Sequence, residues 1–303
     1  MKTISRSAAL CLALPLVLLA GCSLFPTTRK LPVPRTPEVT QTVSPEDLVD
    51  RLNQRWAGMD SLTATVEIRA TEFKTKEGVE KDFPSCKGFI LMRKPGMLRV
   101  VGQLFGVARI FDMASDGSNF TLLMPTKSKA IEGSDTAEKK PANSAGTDQP
   151  SFENLRPGFF FDALMVHGVA PEDFYMRIAD TSTVEDAAKK HLYTVPEYVL
   201  SITRHNPGSR NDTPVRVVTF HREDLLPYQQ DLYDKGGNLE TEVSYSQYAD
   251  FNGSKYPSIV TIKRPLEGIQ LVMTIERVVE NPKLTDDQFQ IKIPEGTKIQ
   301  HIE

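Results

Sequence analysis

An alternation of apolar and polar residues beginning at Leu62 sets the character of this chain. Leu62, Ala64, Val66, Ile68 and Ala70 alternate with Thr63, Thr65, Glu67 and Arg69, the period of a strand with one buried face. Strand-like runs follow in quick succession over 86–92, 97–103, 107–114, 119–124 and 128–131. Lys94-Pro95-Gly96, Gly106 and Asp116-Gly117 separate them with turn chemistry. Such short connections predict an antiparallel meander, because parallel strands need crossovers of a dozen residues or more. Strands resume over 192–195, 198–204, 215–221, 227–233, 239–248, 256–263 and 269–279, with hairpin turns at 234–238 and 252–254.

Few segments have helical period. Ser44-Pro45-Glu46-Asp47 combines a serine cap, proline at the first helical position and acids in the first turn. Leu48, Leu52 and Trp56 then form one apolar stripe, and Gly58 ends it. Phe159 to Met165, opened by Pro157-Gly158, predicts a short helix, and a further helical turn is expected at Pro171-Glu172-Asp173. Residues 133–150 hold no hydrophobe larger than alanine and predict a flexible surface insert. The fold class expected is mainly β (α+β): one large curved antiparallel sheet, partly closed over helices, with an apolar concave face.

The N-terminus changes the picture. Lys2 and Arg6 precede an apolar stretch from Ala8 to Ala20, the layout of a secretory signal. The run is about 13 residues, short of the roughly 20 that span a bilayer. Leu19-Ala20-Gly21-Cys22 resembles a bacterial lipobox. That resemblance implies cleavage after residue 21 and a diacylglycerol and an acyl chain on Cys22. With Ser23 next, it also implies sorting to the outer membrane, facing the periplasm. The alternative is an ordinary signal with a chance cysteine. Residues 22–43 carry Pro26, Pro32, Pro34 and Pro37 and predict an extended tether; residues 44–303 would form the domain.

Composition removes several function classes. Cleavage after residue 21 would leave 282 of 303 residues and 34 basic against 39 acidic side chains, a net of −5. No basic block marks a nucleic-acid footprint. With Cys11 lost and Cys22 lipidated, Cys86 has no disulfide partner and is expected as a small buried hydrophobe. The five histidines, His167, His191, His205, His221 and His301, show no metal-site spacing. No nucleophile elbow, phosphate loop or CxxC pair occurs. The chain is expected to be no enzyme and to need no cofactor beyond the lipid on Cys22; a cluster of His221, Glu223 and Asp224 around a pocket would revive a hydrolase.

Two apolar features remain. Leu104 and Phe105 occupy a turn that would ordinarily be polar. They either fold back into the core or form an exposed finger that touches lipid or a lipidated partner. Phe159, Phe160 and Phe161 offer the same choice, with core packing the simpler one.

The order of these features resembles the LolB-like outer-membrane lipoprotein receptors and their LolA-like carrier relatives. It runs from the lipobox and N-terminal helix through Leu62–Ala70, Gly88-Phe89-Ile90, Pro95, Leu98-Arg99-Val100, Leu104-Phe105-Gly106 and Asp116-Gly117 to Phe120-Thr121-Leu122. It covers residues 45–132 well and the remainder in strand rhythm only. What it implies is a half-open β barrel with helices as a lid over an apolar cavity for acyl chains. It also implies an exposed hydrophobe at the position of Leu104, beside Phe105. The partners implied are membrane lipid through Cys22, acyl-chain or lipoprotein cargo, and a LolA-like periplasmic carrier. Alternation alone picks Val66, Ile68, Phe89, Leu91, Leu98, Val100, Ile110 and Leu122 as candidate cavity lining, with the inward parity open. A tail of some 14 to 18 carbons would gain roughly 0.8 kcal/mol per buried CH2. The alternative on the same fold is an envelope structural or signalling module without lipid cargo, its cleft filled by its own Phe and Met side chains.

Overall fold

The computed structural model describes residues 40–74, 78–105, 108–135, 156–186 and 191–302. The signal segment, Cys22, the tether up to residue 39 and residues 136–150 of the insert lie outside them. The chain divides into two compact units, residues 37–182 with 195–303, and residues 1–36 with 183–194. Of the second, only 183–186 and 191–194 are described, and they are extended. Among the described residues, the first unit carries both α-helices and the greater part of the sheet.

Helix α1 (Pro45–Ala57) starts where its cap predicts. The Asp47 amide donates to Ser44 Oγ over 3.0 Å and the Ser44 amide donates to Asp47 Oδ2 over 3.2 Å, so two otherwise orphaned N–H groups are satisfied reciprocally. The alternating run becomes β1 (Ser61–Lys74). After it come β2 (Val79–Asp82), β3 (Cys86–Arg93), β4 (Met97–Leu104), β5 (Ala108–Asp116), β6 (Asn119–Met124) and β7 (Lys129–Ser134). Helix α2 (Pro157–Leu164) precedes β8 (Asp173–Asp186), β9 (His191–His205), β10 (Asp212–His221), β11 (Pro227–Tyr233), β12 (Leu239–Phe251), β13 (Ser254–Arg264), β14 (Ile269–Glu280) and β15 (Lys298–Ile302).

All the described strands join one sheet, in the order β15-β7-β6-β5-β4-β3-β1-β14-β13-β12-β11-β10-β9-β8, with β2 on β1. Each half of the chain is a run of hairpins. The antiparallel pairing of β1 with β14, from Leu62↔Glu280 to Glu72↔Ile269, joins the halves. The order has two ends, so the sheet is not closed into a barrel.

Three expectations are corrected. The pairing of β15 with β7 is parallel, Ile299 lying opposite Ala130, so the sheet is mixed; the long connection after β14 provides the crossover that a parallel pair requires. Pro171-Glu172 is a turn leading into β8, not the start of a helix. The runs 192–195 and 198–204 form the single strand β9, uninterrupted by Pro196.

The register fixes which face is inward. In β3, Cys86, Gly88, Ile90 and Met92 are buried and the residues between them are not. Val66 pairs with Gly88, Ile90 with Val100 and Met92 with Leu98, so these share a face. Gly88 is required there, because a Cβ would sit 2.6 Å from Ile68 Cδ1 and 2.7 Å from Val66 Cγ2. The residues of this face pack with Phe159, Phe160 and Phe161 of α2 and with Met59, Met92, Met113 and Met273. A second cluster joins Leu48, Val49 and Leu52 of α1 to Tyr198, Leu200, Ile202, Val218, Phe220 and Leu225. The expected core role of the phenylalanine triplet holds.

Cys86 is buried, and burial pushes its thiol up to about 11. At pH 8 the thiolate fraction is then on the order of one in a thousand. In a chain starting at Ser23, where Cys86 is the one cysteine, reaction with a disulfide reagent at pH 8 should be negligible until urea unfolds the protein. Prompt labelling of the native form would contradict this burial.

Candidate functional site

A cavity of about 500 Å3 lies where the two hydrophobic clusters meet. Its walls come from the last turns of α1 and the residue after its cap (Leu52, Trp56, Met59), the residues ending and following α2 (Leu164, Met165, Val166) and the β10–β11 turn with the start of β11 (Leu225, Leu226, Pro227). The β12–β13 hairpin completes them with Tyr245, Tyr248 and Tyr256. That volume falls in the range of roughly 300–1,000 Å3 typical of small-molecule sites.

The wall is held in place by satisfying the end of α2. The last carbonyls of a helix have no partner within it. Here Gln230 Nε2 donates to Asp162 O over 3.0 Å, the Tyr245 hydroxyl to Ala163 O over 3.0 Å and the Tyr256 hydroxyl to Leu164 O over 2.5 Å. Arg216 donates to Gly168 O just beyond, and burial pushes its guanidinium down to about 10. Burial likewise raises the phenols of Tyr245, Tyr248 and Tyr256. Tyr248 donates to Pro227 O over 2.6 Å. All three tyrosines therefore spend their hydroxyls on the protein's own backbone, and what they leave for the cavity is aromatic surface.

Two neighbours hold the Trp56 ring. Lys94 Nζ lies 3.8 Å from its ring centroid, and the His167 ring stacks on it at 4.3 Å. His167 Nε2 is in turn 3.1 Å from Asp162 Oδ1. At the rim stand Arg51, Arg55, Lys255 and Asp224. Arg55 pairs with Glu280, and Lys255 Nζ is 3.9 Å from Asp224 Oδ2. A second cavity, of about 520 Å3, lies between the end of β1 with the start of β2 and the β13–β14 turn, lined by Phe73, Val79, Arg264 and Ile269 among others.

The residues expected to line a cavity are elsewhere. Val66, Ile68, Leu98, Val100 and Leu122 lie in the closed core, at most 4% exposed. Ile110 packs against that core from a bulged stretch of β5. Phe89 and Leu91 sit on the opposite face of β3, Phe89 being 36% exposed. None of the eight lines either cavity. For the inward residues the reason is steric, since the phenylalanines of α2 pack in the same core; Phe89 and Leu91 point out of it by register.

Leu104 and Phe105 part company. Leu104 is partly buried against the core, whereas Phe105 is 94% exposed with φ 51°. The protruding hydrophobe is Phe105, not Leu104: Leu104 ends β4 and packs against the core, while Phe105 lies just beyond the strand. His221, Glu223 and Asp224 do not form a site. His221 stacks on Tyr228 at 4.1 Å, while the Asp224 carboxylate accepts from the Leu226 amide over 3.0 Å. Among the described residues, no three His, Cys, Asp or Glu side chains gather as a metal would require, and no helix is long and apolar enough to cross a membrane. Trp56 as a wall and the tyrosine trio are not among the residues expected to line a cavity. The closeness of Tyr245, Tyr248 and Tyr256 in one hairpin was the available signal.

No family model and no curated protein matches the chain. Among solved structures it is similar to a LolA superfamily protein from Nitrosomonas europaea, at 15% identity over 82% of this chain and 99% of that one, with a TM-score of 0.47. It is similar to a DUF1329 family protein from Desulfovibrio piger, at 16% identity over 81% and 95% of the two chains, TM-score 0.48. It is also similar to a domain described as an outer membrane lipoprotein-sorting protein from Vibrio parahaemolyticus, at 10% identity over 81% and 94%, TM-score 0.43.

Proposed function

We propose that this chain is a lipid-anchored protein of the outer membrane, facing the periplasm, which holds an acyl chain of a lipid or lipidated protein beneath α1 and serves its transfer to that membrane. The observation that carries the reading is the cavity of about 500 Å3 whose tyrosine hydroxyls are all turned to the backbone. Such a wall offers aromatic and aliphatic surface to a ligand and no unpaired phenol, which suits a hydrocarbon tail. The lipobox-like Leu19 to Cys22 supports the anchor. Phe105, exposed at the tip of the β4–β5 hairpin, supports contact with a lipid surface. Transfer of this kind needs no covalent step.

A second reading has its own observation. The central face of the sheet is filled by Phe159, Phe160, Phe161 and several methionines, as expected of an interaction module without lipid cargo. Mass spectrometry of lipids co-purified with a chain starting at Ser23, followed by uptake of a fluorescent fatty acid, separates the two. We expect near-stoichiometric uptake. Phe105→Glu should leave uptake unchanged and slow delivery from the protein to vesicles by roughly tenfold or more, since it places a charge where an apolar side chain would meet lipid. An empty protein that takes up no fatty acid would remove the carrier reading and leave the module.

A further inference from the structure

The geometry points to the class of ligand: a single acyl chain whose head group is anionic, a carboxylate or a phosphate monoester, with the head held at the cavity mouth by Arg51, Arg55 and Lys255. This rests on the acyl-chain reading above and narrows it in two respects.

The first is size. At about 30 Å3 per heavy atom, the share of a water molecule in the liquid, a chain of sixteen carbons occupies on the order of 480 Å3. A cavity of about 500 Å3 therefore has room for such a tail along its whole length.

The second is charge. The phenol donors of the wall are committed to Ala163, Leu164 and Pro227. A polar head drawn inside would lose its water without gaining those partners, so it must stay at the mouth. The charged residues lining the cavity are three cations, Arg51, Arg55 and Lys255, against one anion, Asp224. Glu280 offsets part of the charge of Arg55 through their ion pair. Asp224 is held back by the Leu226 amide and stands 3.9 Å from Lys255. Lys255, 57% exposed and 3.9 Å from Asp224, can turn toward a head group without first breaking a buried network, whereas Arg55 stays on Glu280 and adds its charge from there. Excess positive charge at the mouth of an apolar cleft raises the affinity for an anionic amphiphile over a neutral one of equal tail length.

The test uses a built-in reporter, since Trp56 is the one tryptophan of the chain and lines the cavity. All fifteen strands, both helices and both hydrophobic clusters lie within residues 40–302, so a chain starting at Ser23 keeps the whole described fold. It is titrated, below micelle concentrations, with oleate, oleoyl lysophosphatidate and oleyl alcohol. Binding is read by Trp56 emission and independently by calorimetry. We expect at least one anion to bind tenfold or more tightly than the alcohol, and the tighter of the two identifies carboxylate or phosphate. The double variant Arg51→Gln, Lys255→Gln should weaken the anion about tenfold and leave the alcohol unchanged. Equal affinity for alcohol and anions, or a variant that weakens all three alike, would overturn the anionic-head assignment while sparing the acyl-chain reading. Failure of all three to bind would overturn both.

Discussion

Replacing Phe160 by alanine should destabilise the protein by about 3–5 kcal/mol, the cost typical of truncating a fully packed aromatic. Phe160 is 1% exposed within the main hydrophobic cluster. Helix α2 has eight residues, too few to persist without tertiary packing. Its hold on the sheet comes from the three phenylalanines and from the donors that Gln230, Tyr245 and Tyr256 supply to its final carbonyls. Truncation opens a cavity and loosens the element that forms one wall of the ligand site, so stability and fatty-acid uptake should fall together. Urea denaturation followed by circular dichroism reads the first and the uptake assay the second. A loss below about 1 kcal/mol, well under the usual cost of such a truncation, would show that α2 does not depend on this side chain.

The second large effect concerns Arg264, 2% exposed at the end of β13. Its guanidinium donates to Thr241 Oγ1 and Glu267 Oε1 over 2.5 Å each and to Glu240 Oε1 over 3.3 Å, and it lies 3.5 Å from the centroid of the Phe159 ring. Burial pulls its pKa down and the hydrogen bond to Glu267 holds it up. Arg264→Met leaves the Glu267 carboxylate, 6% exposed, without its nearest cation. Breaking such a pair costs about 3–5 kcal/mol. We expect about 3 kcal/mol, the lower end of that range, because the charge of Arg156 also acts on Glu267 and is relieved of repulsion from Arg264. Adding Glu267→Met should recover most of the loss, since a buried pair replaced by apolar side chains is often neutral or better. A double variant no more stable than Arg264→Met alone would mean that the arginine acts mainly through Phe159 and Thr241.

Both predictions concern contacts that no local pattern announces. The rhythm of β1 was readable because its polar residues mark one face. Phe89-Ile90-Leu91-Met92 was not, since hydrophobes on both parities erase the alternation and leave the inward face to be decided by register. Opposite Val66 the register places Gly88, and that puts Phe89 and Leu91 on the other side. The helix starts make a similar contrast. Pro45-Glu46-Asp47 begins α1 because Ser44 caps it. Pro171-Glu172-Asp173 has the same proline and acids after Ala170, which has no side-chain acceptor to offer. There Phe174, Met176 and Ile178 continue as the outermost strand, 60%, 58% and 44% exposed, an apolar edge that periodicity alone would have shown.

The sequence by itself determined the mainly β class, the hairpin rhythm and the capped helix, because period, turn residues and caps act within a few positions. Tertiary structure decided the join of β1 to β14, the inward face, the separation of Leu104 from Phe105 and the place of the cavity. Each of these depends on surfaces brought together from distant parts of the chain, as Leu62 meets Glu280. Their pairing is selected by total burial and by the partners available to α2, quantities that no single segment carries.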